Sequence, residues 1–142
     1  MRVNELAKDL KVTADTVRFY TRTGFLKPTK NPVNGYKIYG AHDRRLMRFI
    51  LSARQLGFSV DDISQILATA QRKRSPCPLV RQLIQQRLLE NEKSFLDSLR
   101  LRQRMLDAIS QWDRKPDQAP TGALICHLIE EFSDASNEKR TG

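Results

Sequence analysis

Residues 79–110 run without a glycine or proline, and Val80, Ile84, Leu88, Phe95, Leu99, Leu106 and Ile109 recur along them at near-heptad intervals. Nothing in this stretch breaks an α-helix, and its apolar residues return to one face, which predicts a single helix over 79–111. A helix of roughly 30 residues spans about 45 Å at 1.5 Å per residue, longer than the preceding 70 or so residues can cover. Its apolar stripe therefore needs a partner, which a parallel or antiparallel coiled coil supplies. Arg102 falls on the stripe, where it either snorkels outward or marks drift of the seam.

The chain ahead of this helix has a different character. Of its 142 residues, the first 74 carry fifteen Lys and Arg against six Asp and Glu, so the whole net charge of +9 resides there; the remainder is balanced at ten against ten. A basic block joined to a neutral one predicts a module that meets a polyanion, followed by a module with another task. The bland alternative is a basic, soluble surface. The opening MRVNELAKDL is charged throughout and does not read as a signal peptide. No apolar run approaches the roughly 18 residues of a membrane span. A soluble, cytoplasmic protein is expected.

Val3, Leu6, Ala7 and Leu10 mark one face of a short first helix. Thr13 is then an N-cap candidate for a second helix, with Asp15 in its first turn and a stop near Gly24. Two short helices around a tight turn form a helix-turn-helix, whose second helix enters the major groove of DNA. On that helix Thr16, Arg18, Tyr20 and Arg22 offer hydroxyl and guanidinium donors to phosphates and base edges. FLKPTKNPVNGYKIYG follows, with a turn at Asn34-Gly35 between two short strands. Such a wing can lay Lys27, Lys30 and Lys37 along the phosphate backbone, with the Tyr36 and Tyr39 hydroxyls beside them. The competing reading has these aromatics covering the helices, more so for Tyr39 than for Tyr36. Two further helices are expected, one with Leu46, Phe49, Ile50 and Ala53 inward and one capped by Ser59.

The segments VTADTVRFYTRTGFLKP, NGYKIYG and FILSARQLGFSVDDISQIL together resemble the DNA-binding half of the MerR family of bacterial transcriptional regulators, in its metal-responsive branch. Lys37 stands where arginine is usual and Thr21 where glutamate is common. The resemblance implies a mainly α fold: a winged helix-turn-helix over residues 1–70, a hinge over 71–78, and a long antiparallel coiled-coil dimerisation helix over 79–111. An effector loop and short C-terminal helix over 112–133 and a flexible tail over 134–142 complete it. It further implies that Thr16, Arg18, Tyr20, Tyr36, Lys37 and Arg54 meet promoter DNA. A homodimer would distort that DNA so that RNA polymerase can engage.

The two cysteines admit several readings. In a reducing compartment, thiols 49 positions apart are buried, reactive or metal-bound more often than paired with each other. Cys126 and His127 lie in the apolar run ALICHLIEEF, which predicts a short helix, and a cysteine there is most simply a small buried hydrophobe. Cys77, between Pro76 and Pro78, sits at a predicted helix start with proline at the first helical position, where the dipole favours a thiolate. Under the resemblance, Cys77 and Cys126 match the first and last cysteines of the family's metal sensors, facing each other across the dimer; the further loop cysteine is missing. His127 and Asp113 are the additional candidate ligands, and Asp117 also lies in the loop. Two thiolates fall short of a closed zinc site, so mercury, lead or cadmium fits better than zinc. Copper(I) fits less well, because the family's copper sensors lack the long-helix cysteine. The alternatives are a redox- or electrophile-sensing thiol without metal, or a DNA binder with no effector. An enzyme is not expected: paired acid and base groups and a Gly-rich phosphate loop are absent, and His42 and His127 lie far apart.

Overall fold

The protein is described from a computed structural model over residues 1–133. Among the described residues, six helices and one hairpin follow in the order α1 (Val3–Asp9), α2 (Ala14–Arg22), β1 (Thr29–Lys30), β2 (Lys37–Ile38), α3 (Ala41–Gln55), α4 (Val60–Gln71), α5 (Cys77–Trp112) and α6 (His127–Glu130). They divide into two compact units, Met1–Arg87 and a second that begins at Leu88, so α5 contributes to both.

In the first unit, α1 ends in a tight turn. Lys11 adopts a left-handed backbone (φ 58°), and Val12 N–H donates to the Ala7 carbonyl at 2.9 Å. Thr13 then caps α2 by accepting from Thr16 N–H at 3.1 Å, as its position predicts. The hairpin is antiparallel, with Thr29 opposite Ile38 and Lys30 opposite Lys37. Its turn uses Gly35 at φ 73°, a conformation that glycine adopts without a Cβ clash. Ser59 caps α4 reciprocally with Asp62: each backbone N–H donates to the other's side chain, at 2.9 and 3.0 Å.

The core gathers Leu6, Val17, Leu26, Met47, Ile50 and Ile63, all essentially fully buried. Each such burial contributes about 1.5–3 kcal/mol. The start of α5 joins this core through Leu83, with Leu79, Val80 and Ile84 packed against it. Arg87 of α5 makes an ion pair with the buried Asp62 at 3.2 Å. Two carboxylates that periodicity does not single out are buried for capping reasons, Asp62 and Asp43. Asp43 accepts from Lys27 N–H at 3.0 Å and Gly40 N–H at 3.3 Å, which fixes both ends of the wing. Phe49, expected inward, is 40% exposed, and Met47 takes the core position.

In the second unit, the end of α5 packs with the chain that returns toward it. Trp112 Nε1–H donates to the Leu128 carbonyl at 2.9 Å, and its ring meets Phe132 edge-on at 6.4 Å. The predicted helix over ALICHLIEEF is corrected: only His127–Glu130 is helical. Thr121 Oγ1 accepts from Ala123 and Leu124 N–H, and Glu130 Oε2 accepts from Ile125 and Cys126 N–H. These side chains satisfy the backbone that a longer helix would have paired. The residues assigned to a flexible tail lie outside the described ones.

Candidate nucleic-acid interface and effector cysteines

Between α2 and the wing lies a concavity of about 690 Å³ whose polar lining includes Arg2, Asn4, Arg18, Arg22, Tyr36 and Lys37. Four of these are cations, and none of the lining residues is acidic. Three elements build it, the start of α1 supplying Arg2 and Asn4. The amphipathic α2 buries Val17 and Tyr20 and turns Arg18 and Arg22 outward. The hairpin presents Tyr36 and Lys37 on its exposed side. Arg18 is held by Asp15 at 3.0 Å, both well exposed, so the pair orients the guanidinium without withdrawing it from solvent. A cleft lined by one sign of charge raises the local concentration of an anionic partner.

The predicted contact residues divide on burial. Arg18, Arg22, Tyr36 and Lys37 are exposed in the concavity. Thr16 is half-buried in the first turn of α2, its hydroxyl 2.9 Å from that of Thr13. Arg54 is exposed at the end of α3, where Nη1 donates to the Phe58 carbonyl at 2.9 Å. Tyr20 is buried in the core, edge-on to Phe19 and stacked with Phe25. Tyr39 also lines the concavity. It is 2% exposed, and its hydroxyl pairs with Thr21 Oγ1 at 2.7 Å, so it fastens the wing to α2.

Arg2 escaped the sequence reading. Its guanidinium lies over the Tyr36 ring, 4.4 Å from the centroid, a cation–π contact that joins the start of α1 to the wing. A basic residue directly ahead of the first helix was the available signal. On the far side of α1, Asp9 pairs with Arg44 of α3. The Arg44 hydrogen bond holds the Asp9 carboxyl below its usual value, with the charges of Arg44 and Arg48 adding to it against some desolvation. Arg44 is raised in turn, first by the same hydrogen bond.

Both cysteines are free thiols. Cys77 is the first residue of α5 and exposed, its N–H donating to Ser75 Oγ at 3.3 Å; proline occupies the second helical position rather than the first. Cys126 is half-buried and forms the N-cap of α6 rather than lying inside a helix. His127 is buried. Its ring is 7% exposed, Nε2–H donates to the Pro116 carbonyl at 3.0 Å, and Nδ1 faces Glu131 at 3.8 Å. Asp113 is exposed in the turn that follows α5. Among the described residues of one chain, no three His, Cys, Asp or Glu side chains converge on a common point.

Residues 1–70 match the family described as "MerR HTH family regulatory protein", and residues 44–108 match "MerR, DNA binding". The regulator ZntR of Escherichia coli is 32% identical over 142 residues, covering 99% of this chain and 98% of its own. Heavy metal-dependent transcription regulator 2 of Rhizobium meliloti is 26% identical over 138 residues, covering 96% and 88%. The crystal structure of the transcription regulator PbrR691 from Ralstonia metallidurans, in complex with lead(II), superposes with a TM-score of 0.63 at 23% identity. It covers 93% of this chain and 99% of its own, which shows a shared fold. These relatives are transcriptional regulators and not enzymes. The chain belongs to the MerR family of helix-turn-helix, DNA-binding transcriptional regulators.

Proposed function

We propose that the protein acts in the cytoplasm as a homodimer on promoter DNA. A soft heavy-metal ion, bound by Cys77 of one subunit and Cys126 of the other, makes it distort that DNA so that RNA polymerase engages. The observation that carries this reading is the placement of the two free thiols, each at the start of a helix and neither in a disulfide. Cys77 also stands where the basic, wing-bearing half of the sequence gives way to α5. An ion held there acts on the element that leads away from the wing. The heavy-metal dependence named for the Rhizobium relative supports the same assignment.

The donor chemistry narrows the ion. Two thiolates, with no third ligand converging in one chain among the described residues, suit a soft ion of low coordination: mercury, lead or cadmium. Zinc would need more donors than these. Thr16, Arg18, Arg22, Tyr36, Lys37 and Arg54 meet the DNA in this reading. Phosphate contacts from both wings offset the cost of bending and untwisting the operator.

Metal titration with thiol counting tests it. Addition of lead, cadmium or mercury should remove two reactive thiols per subunit and alter the footprint without releasing the DNA. A Cys126→Ala variant that responds fully, or a footprint that disappears with metal, overturns the mechanism. A full response to oxidant with metal removed would favour thiol oxidation instead.

A further inference from the structure

We propose that Glu92 of each subunit pairs with Arg102 of the partner subunit, and that these two ion pairs set the register of an antiparallel α5 pair. The two-fold axis lies level with Asp97. This rests on the antiparallel homodimer reading above and adds to it the register of the two helices.

Leu88, Glu92, Phe95, Leu99, Arg102, Leu106 and Ile109 follow one another at alternating intervals of four and three, the spacing of a coiled-coil seam. The five apolar members are 42–63% exposed. A stripe of this length uncovered in its own chain is what a helical partner buries. Glu92 and Arg102 interrupt it and are exposed too. Among the described residues neither belongs to an ion pair within its own chain, whereas Arg100 and Asp97, off the seam, pair with each other at 3.2 Å.

The stripe is symmetric in chemistry about Asp97. Reflection there sets Leu88 against Leu106, Phe95 against Leu99, and Glu92 against Arg102; only Ile109 meets a polar residue, Gln85. Other alignments lose this. Moving the axis by half a heptad, about 3.5 residues, toward the N-terminus sets Glu92 against Phe95 and Arg102 against Gln85. Moving it the other way sets Glu92 against Ile109 and Arg102 against Leu99. A parallel pair sets Glu92 against Glu92. Each alternative strands a charge in an apolar seam or against its like, which disfavours the wrong alignment more strongly than the pair stabilises the right one. Arg102, a defect when the helix is read alone, becomes half of the lock.

Two measurements on the full chain test this. By sedimentation, Glu92→Arg and Arg102→Glu should each weaken the dimer by roughly tenfold or more. The double exchange should restore it to within about threefold of the original. A double exchange no better than the worse single variant overturns the pairing. Independently, Glu92→Cys and Arg102→Cys are each introduced with Cys77 and Cys126 replaced by serine. Under mild oxidation neither should cross-link alone, and their mixture should form covalent dimers. Cross-linking of either variant by itself, or none in the mixture, overturns the register. A starting protein that sediments only as a monomer overturns the homodimer reading, which separates the two failures.

Discussion

The Tyr39 hydroxyl lies 2.7 Å from Thr21 Oγ1, and that threonine hydroxyl in turn donates to the Val17 carbonyl at 2.8 Å. One buried phenol, directly after β2, thus ties the wing to the backbone of α2. Tyr39→Phe keeps the ring and removes the bond. It should lower stability by about 1 kcal/mol, visible in chemical unfolding. Affinity for DNA should fall modestly, with no change in its salt dependence, because no charge facing DNA has been removed.

Charge removal in the concavity should behave in the opposite way. Arg2→Ala, Arg18→Ala and Lys37→Ala should each leave stability nearly unchanged and make the plot of log affinity against log salt shallower by about one. For Arg2 the loss includes the support it gives the Tyr36 ring. Tyr20→Phe should leave DNA binding unaltered, since the ring stays in the core. A fluorescence-anisotropy salt series on operator DNA separates the three charge variants from Tyr20→Phe.

The Asp9–Arg44 pair makes a prediction in pH. The folded carboxyl titrates below its ordinary 3.8 because Arg44 bonds to the charged form. Its contribution to stability is therefore present above the unfolded value and disappears as pH falls through the lowered folded one. Asp9→Asn should be less stable than the original protein at neutral pH, with the gap closing below a pH of about 4. High salt should narrow the gap as well, as for any solvent-exposed pair.

His127→Ala should weaken the second unit while leaving the number of thiols protected by metal unchanged, because both ring nitrogens are turned toward the protein. The part-buried hydrogen bond to the Pro116 carbonyl accounts for about 1 kcal/mol of that loss. Loss of metal binding with the fold intact, seen by circular dichroism beside thiol titration, would return the histidine to the ligand set.

Much of this arrangement is legible in the residues themselves. Thr13 and Ser59 announce helix starts because a cap is a local bond between neighbours, and Asn34-Gly35 announces a turn because Gly35 must take a positive φ. The long helix is evident from 79 onward, although it begins at Cys77 and its first turns serve the neighbouring core. What escaped notice depends on contacts between distant residues. Tyr20 looked polar, yet it stands three residues after Val17 on the buried face. Asp43 and Asp62 carry no periodic signal, and backbone N–H groups and Arg87 draw them inward. The apolar periodicity of ALICHLIEEF predicted a helix throughout, and only the folded chain reveals that Thr121 and Glu130 take the backbone donors first.

Whether the effector site is shared between subunits can be read from one mixing experiment. Cys77→Ser and Cys126→Ser proteins are prepared separately, then allowed to exchange subunits, and lead or cadmium binding is measured for each alone and for the mixture. Neither variant alone should bind the ion tightly, and each mixed dimer should regain one site, built from Cys77 of one chain and Cys126 of the other. A mixture that binds no better than its components, or single variants that bind as well as the original, would contradict a site shared across the dimer.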